Sequence, residues 1–374
     1  MKERIYICHT FYHVYVACLK ELDRRRKNAA AAGAAGRGTP RAEDTATLML
    51  STMSNDFGSL PARAEKCPLF DEVVIFPEKP ASAYEELAPL QKNTGSAIGN
   101  LLGRIRFCKR LGQLTEQAVP VDLKQYGDIY VFCDSDPIGY YLNYKGIRYH
   151  ALEDGLNCIA NFDAARYDNR DHFALKAAIA RTGLIFIQNG YGRYCIDMEV
   201  NDLSVLKYPC PKYVELPRKS LTDALTEEDK EILLSLFLED REGLLRQLEE
   251  GKGRPRVLIL SEPLCDLKTR ERLFRDIVDT YGAVDGERAL VMIKQHPRDR
   301  MDYSEKFGDC ILLSSAFPME MLNFVPGLSF DRLVSVYTVV DALQFVKEKI
   351  ILGHDFMDRY EAPEIHRKNE KIGA

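Results

Sequence analysis

No stretch of this chain approaches the roughly 20 consecutive apolar residues that a bilayer-spanning helix requires, so the sequence predicts no membrane span. Met1-Lys2-Glu3-Arg4 leads into a short strand-like run. It does not lead into the apolar core of about 7–15 residues that marks a signal peptide. The ten cysteines, from Cys8 to Cys310, contain no Cys-x-x-Cys and no short-range framework. Cys8 and Cys133 lie in apolar runs where cysteine acts as a small hydrophobe, which is usage expected of a reducing, cytoplasmic setting. A net charge of −5 removes any general electrostatic attraction to nucleic acid. Arg24-Arg25-Arg26-Lys27 is a basic run. It is expected to be the solvated end of a helix, with a patch at the inner membrane face as the lesser alternative. There is no internal repeat of short period. Gly33, Gly36 and Gly38 have no strand before them and no helix after, so they form no dinucleotide fingerprint.

What is present is a globular composition, 46 % hydrophobic and 29 % charged, in a chain of 374 residues. That length suits two domains better than one core. Compact apolar runs at Arg4–Cys8, Thr47–Ser51, Glu72–Phe76, Tyr126–Cys133 and Ile147–Leu152 read as strands. Helical spacing is predicted over His13–Leu22, parts of Ala81–Leu114 and from Pro137 to Asn143, and a flexible loop over Asn28–Asp44. A charged helical region, Thr226–Glu250, ends at Gly251-Lys252-Gly253. A second alternating set follows: strand Val257–Leu260, helix Glu271–Tyr281, strands Ala289–Lys294 and Cys310–Leu313, and helix Val339–Phe345. Alternation of this kind predicts α/β domains with parallel sheets covered on both faces. The expected division is 1–225, a linker helix region 226–253, and 254–374.

Two short motifs close buried strand-like runs: Glu153-Asp154-Gly155 and Lys294-Gln295-His296-Pro297. Ligands gather at the carboxyl ends of strands in open α/β sheets. A carboxylate at one such end and a histidine at another are the parts of an acid/base pair. Taken alone, the first motif is equally an Asp-Gly turn with solvated acids, and the second a loop histidine beside a strand-stopping proline. Asp134-Ser135-Asp136 follows another strand. It reads as a plain turn, an Asp-x-Asp metal site or a substrate-side loop. His9 and His13 are four apart with no evident third ligand, so zinc is not expected.

Together with Phe317-Pro318-Met319-Glu320, Ser335-Val336-Tyr337-Thr338 and the opening Ile5-Tyr6-Ile7-Cys8-His9-Thr10 followed by Tyr12-His13-Val14, these motifs resemble the bacterial sialyltransferases of glycosyltransferase family 52. They also resemble related sialyltransferase and polysialyltransferase families that share Asp/Glu-Asp-Gly and His-Pro motifs. The resemblance implies a GT-B architecture, two Rossmann-like doubly wound domains with an interdomain cleft. It implies an inverting, metal-independent transfer of N-acetylneuraminate from CMP-N-acetylneuraminate to a terminal galactose-like sugar of a lipooligosaccharide or capsule. Asp154 would be the catalytic base, tuned or oriented by Glu153, and His296 would meet the leaving phosphate. Lys294, Pro297, Glu320, Ser335 and Thr338 would bind CMP, Glu320 through the ribose hydroxyls. The hydroxyls and free amides of Ser335 and Thr338, at a helix start, would form an anion site. Related enzymes often have two adjacent hydroxyl residues there, and Val336 breaks that pattern. Ser314-Ser315 is therefore the alternative phosphate site. His9, Asp134 and Ser135 would lie on the acceptor side. The expected partners are a nucleotide-sugar donor and a glycan acceptor, with no cofactor and no metal. Peripheral membrane association and a homodimer stay open. The competing readings are a transferase using another nucleotide sugar, metal-dependent through Asp134 and Asp136, and a catalytically silent carbohydrate-binding protein.

Overall fold

Aliphatic runs bounded by turn residues form strands where the sequence predicts them, and each pairs in parallel with its neighbours. The computed structural model describes residues 2–34, 46–132, 134–154, 172–206, 210–338, 340 and 343–366. The chain falls into two compact units that divide between Leu225 and Thr226.

The first unit holds seven strands: β1 (Lys2–Cys8), β2 (Ala46–Ser51), β3 (Phe70–Phe76), β4 (Tyr126–Phe132), β5 (Tyr149–Leu152), β6 (Cys195–Val200) and β7 (Tyr213–Glu215). Their order is β3-β2-β1-β4-β5-β6-β7, with every pair parallel. Register is set by buried pairs, with Ile5 opposite Thr47 on one side and Ile129 on the other. All six residues of β2 are buried, as a central parallel strand covered on both faces must be. The order reverses direction between β1 and β4, which makes their carboxyl ends the topological switch point.

The second unit holds β8 (Arg256–Leu260), a small antiparallel hairpin of β9 (Ala283–Val284) and β10 (Glu287–Arg288), then β11 (Leu290–Lys294), β12 (Ile311–Leu313), β13 (Phe330–Ser335) and β14 (Val346–Ile351). The main sheet runs β12-β11-β8-β13-β14, all parallel, with its switch point between β8 and β13. Val257, Ile259, Ile293 and Val334 pack with Phe274 of the helix Leu267–Tyr281 into its core. Both units are therefore Rossmann-like doubly wound α/β domains.

The differences from expectation have local causes. The first helix, α1 (Phe11–Ala34), runs through the start of the expected loop; residues 35–44 of that loop lie outside the described residues. Ala29 to Ala32 explain the extension, because alanine is the strongest helix former and outweighs the nearby glycine. The Thr226–Glu250 region is two helices, Glu227–Phe237 and Arg241–Glu250. A capping box of Thr226 and Asp229 starts the first, and the Asp240 side chain, accepting from Gly243 N, restarts the second. Strands β6, β7 and β14 escaped the sequence reading. β14 is an edge strand whose Lys347-Glu348-Lys349 is exposed, the charged signature of a guarded edge.

The basic run lies within α1, and three of its four charges meet acids. Arg24 meets Glu3, Arg26 and Lys27 meet Asp23, and Arg25 donates to the Pro68 carbonyl. The run is thus not the expected end of the helix but part of its interior turns, because α1 continues to Ala34; Arg24, Arg25 and Arg26 are half-buried and Lys27 is exposed. Among the described residues no helix is long and apolar enough to cross a membrane.

Candidate active site

In the first unit, the carboxyl ends of five strands gather polar side chains. His9 follows β1, Ser51 ends β2, Glu78 follows β3, Asp134 and Asp136 follow β4, and Glu153 and Asp154 follow β5. Glu78 ties three elements together. It accepts from Ser51 Oγ at 2.6 Å, from His9 Nε2 at 2.8 Å and from the backbone N of Ile138 at 2.8 Å. The last bond caps the helix Pro137–Lys145. Asn55 Nδ2 adds a bond to the His9 carbonyl at 2.8 Å. Asp136 Oδ2 lies 3.5 Å from His9 Nε2. Burial opposes charge on His9, but Glu78, with Asp136 and Asp154 beyond it, outweighs burial and holds the imidazole up at about 9. His9 is therefore cationic at neutral pH.

Asp154 meets His13, a residue of the opening motif for which the sequence suggests no role beyond a spacing of four from His9. Nε2 of His13 hydrogen-bonds Asp154 Oδ1. The Asp154 side chain is 33 % exposed, whereas that of His13 is 1 % exposed. Glu153 turns the other way. Its carboxylate accepts from Asn201 N and its own N–H donates to the Glu199 carbonyl. Burial raises the Glu153 pKa, with the Asn201 amide and Arg218 pulling it back and Asp154 and Asp202 adding to the rise. Of the two acids, Asp154 faces outward and Glu153 braces the turn; Gly155 lies outside the described residues.

Asp134 is buried and turned into the protein, accepting from Tyr149 Oη at 2.9 Å, Asn189 N at 2.6 Å and Gly190 N at 3.3 Å. It anchors the loop before β6 to the end of β4. Gly139 permits this turn, since a Cβ there would lie 1.8 Å from the Asp134 carbonyl oxygen. Ser135 is half-buried in the turn. Among the described residues, no three His, Cys, Asp or Glu side chains are grouped as metal ligands would be.

In the second unit, Lys294 ends β11 with its Nζ 4.3 Å from the centre of the Phe317 ring. Burial lowers its pKa to about 7, and Glu320 opposes the fall. Glu320 stands in the turn Met319–Phe324; burial raises its pKa and Lys294 lowers it. The two groups feel each other's charge across the end of the sheet. His296 donates its backbone N–H to Ser261 Oγ at 3.0 Å, and its Nδ1 accepts from Arg298 N at 3.1 Å. Burial, then the Arg298 charge, lowers the imidazole to about 4, with Asp299 opposing and Lys294 reinforcing the fall. With Nδ1 occupied as acceptor, His296 is neutral and carries its proton on Nε2. It can donate a hydrogen bond, but it brings no charge of its own. Pro297 is exposed beside it.

The expected helix at 339–345 is not found. Residues 339, 341 and 342 lie outside the described residues, and 340 and 343–345 are not helical. The segment after β13 is organised instead by a residue the sequence reading missed, Glu262, just past β8. Its carboxylate accepts from Val336 N at 3.0 Å, Tyr337 N at 3.0 Å and Thr338 N at 3.2 Å. The amides expected to hold a phosphate thus hold a protein carboxylate. Ser335 Oγ donates to the Thr338 carbonyl at 2.9 Å and closes the same loop. Ser314 Oγ accepts from Ala316 N at 3.1 Å, and Ser315 is half-buried. Glu262→Ala is expected to lower the stability of this unit by at least about 1–3 kcal/mol, since it strips buried amides of their acceptor. Urea unfolding measures the loss, and a stability equal to the parent's would show that the loop reorganises without it.

Comparison with known proteins agrees with this architecture. A curated protein of Haemophilus influenzae, described only as uncharacterized, is 29 % identical over 138 residues, 35 % of this chain and 41 % of its own length. The matched region is thus less than half of that relative. The α/β-galactoside α-2,3-sialyltransferase of Photobacterium phosphoreum superposes with a TM-score of 0.50 at 10 % identity, over 93 % of this chain and 89 % of that one. A sialyltransferase GT-B domain from Photobacterium damselae gives 0.47 at 12 % identity, over 90 % and 86 %. The fold is of GT-B type. The model of glycosyltransferase family 52 matches residues 104–351, a span that includes β4, β5 and the whole main sheet of the second unit. The chain belongs to glycosyltransferase family 52.

Proposed function

We propose that this family 52 glycosyltransferase is an inverting, metal-independent sialyltransferase. Its donor is CMP-N-acetylneuraminate and its acceptor a terminal galactose-like sugar of a lipooligosaccharide or capsule precursor. The observation that carries the reading is the outward-facing Asp154 carboxylate at the end of β5, fixed by a buried imidazole. A binding module has no need of a positioned base.

In the reaction, Asp154 takes the proton of the acceptor hydroxyl. The hydroxyl oxygen supplies the electron pair of the new bond to the anomeric carbon. The bond from that carbon to the phosphate oxygen breaks, and its electron pair leaves with CMP. Single displacement inverts the anomeric centre, and the transition state is oxocarbenium-like. Charge growing on the phosphate is met by the Nε2–H of His296, and electrostatic stabilisation of that charge is expected to be the largest catalytic contribution. Lys294, with its pKa near 7, gains a proton readily when an anion arrives. Glu320 accepts from the ribose hydroxyls. With the amides of 336–338 engaged by Glu262, the phosphate contacts are assigned to His296 and the Ser314-Ser315 turn. A cytoplasmic location, with peripheral attachment to the inner membrane face, belongs to the same proposal.

The test is nucleotide binding with and without chelator. CMP is expected to raise the unfolding temperature equally in EDTA and in manganese, and UDP and GDP to do much less. A ligand at a hundred times its Kd stabilises by about 2.7 kcal/mol, a readily measured shift. Stabilisation by UDP or GDP that depends on manganese would replace this reading with a metal-dependent transferase of another donor.

A further inference from the structure

Beyond its contact with Asp154, His13 is given no role in the chemistry above, yet its surroundings fix both its charge and the position of its proton. Its Nδ1 accepts a hydrogen bond from the backbone N–H of His9 at 3.0 Å. A ring nitrogen that accepts carries no hydrogen, so the proton of the neutral imidazole is on Nε2. Nε2 is the atom that meets Asp154 Oδ1. The ring lies flat on Phe132, with centroids 4.4 Å apart and planes 7° from parallel, so it cannot swing away without losing that stack.

A second proton would have to go on Nδ1, setting two N–H donors against each other. Burial disfavours the cation as well, and the charge on His9 adds to the effect. Together they lower the His13 pKa although Asp154 pulls it up. The ionisable groups around the pair are His9 after β1, Glu78 after β3, Asp136 after β4, and Glu153 beside Asp154 after β5. Among the two histidines the positive charge is on His9, where Glu78 holds it.

We propose that His13 is the positioning residue for Asp154, a neutral donor of fixed tautomer that aims the carboxylate without neutralising it. A cation in direct contact would depress a carboxylate by about 1–3 pKa units and cost it basicity. A neutral N–H gives direction at a smaller cost. The proposal rests on the reading of Asp154 as the acceptor-side base and adds to it the residue that sets the base's geometry. His9 acts one step further out, through the backbone N–H that fixes the tautomer.

The experiment compares His13→Leu, His13→Gln and Asp154→Ala in transfer from CMP-N-acetylneuraminate to a lactoside. The histidine tautomers of the unaltered protein are read by nitrogen-15 NMR. His13→Leu is expected to lower kcat about ten- to a hundred-fold with little change in donor KM, as misplacement of a reacting group does. It should also move the acidic limb of the kcat/KM profile to higher pH, because a carboxylate that loses a donor becomes easier to protonate. His13→Gln keeps a donor of similar reach and is expected to recover most of the lost kcat and to return the limb. The NMR spectrum should show His13 neutral with its proton on Nε2 through the neutral range. A folded His13→Leu with parental kcat and an unmoved limb overturns the proposal while Asp154→Ala, if inactive, leaves the base intact. Parental activity in Asp154→Ala removes the base and the proposal with it. Should His13→Leu fail to fold, the NMR result on the unaltered chain decides. A cationic His13 or a proton on Nδ1 overturns the proposal.

Discussion

Replacing Asp154 by Ala is expected to lower transfer by about 10²–10⁴, the usual worth of a positioned general base, while CMP binds with the parent's affinity. The reason is placement. Asp154 is at the end of β5 in the first unit, and its described partner is an imidazole of the same unit. Every residue assigned to CMP, from Lys294 to Thr338, belongs to the second. Asp154→Asn is the sharper variant. An amide can still present its oxygen to Nε2–H of His13, so the turn is preserved and only basicity is lost. A rate for Asp154→Asn as low as that for Asp154→Ala, with unchanged CMP calorimetry, assigns the loss to proton removal. Transfer within a few-fold of the parent in either variant would reject the base. Glu153→Gln should be milder in turnover, because its carboxylate serves the Asn201 amide.

The motifs at strand ends were legible because a parallel sheet forces them to be. A buried aliphatic run followed at once by Glu153-Asp154 or by His296-Pro297 has few other places to put those side chains. The residues that hold them were not legible. His13 is 141 positions from Asp154, and Glu262 is 74 from Val336. Neither pairing has a local signature, since the contact exists only once β1, β4 and β5 lie side by side and β8 lies beside β13. His9 and His13 could be noticed by their spacing, but spacing does not reveal their partners. One ring is held charged by Glu78, and the other is held neutral by a backbone amide. After Ser335 the described residues 340 and 343–345 are not helical, and the amides of 336–338 find a carboxylate 74 or more positions away, a partner that a sequence window cannot contain.

The second large effect is expected from the buried pair behind His296. Asp299 is enclosed and accepts from Arg270 Nη1 at 2.6 Å, Tyr303 Oη at 2.8 Å, Ser261 Oγ at 3.1 Å and Met301 N at 3.1 Å. Arg270 also donates from Nε to the carbonyl of Leu264 at 2.6 Å and from Nη2 to that of Cys265 at 2.9 Å. Every charge is met, so the pair is stable as it stands, and removing one member strands the other in the interior. Arg270→Leu is therefore expected to cost about 3–5 kcal/mol of stability, against a much smaller cost for an exposed ion pair. Asp299→Leu should cost a similar amount, and the double variant less than the sum, because it leaves no unpaired charge. Ser261 links this network to the site, donating to Asp299 and accepting from the backbone of His296. Destabilised variants that still fold should accordingly lose turnover with CMP-N-acetylneuraminate beyond what their folded fraction explains. Denaturant unfolding of the two single variants and the double, read beside the rates, tests both halves of the argument. A loss below about 1 kcal/mol for Arg270→Leu would mean that the loop carrying His296 is held by its packing and not by this pair.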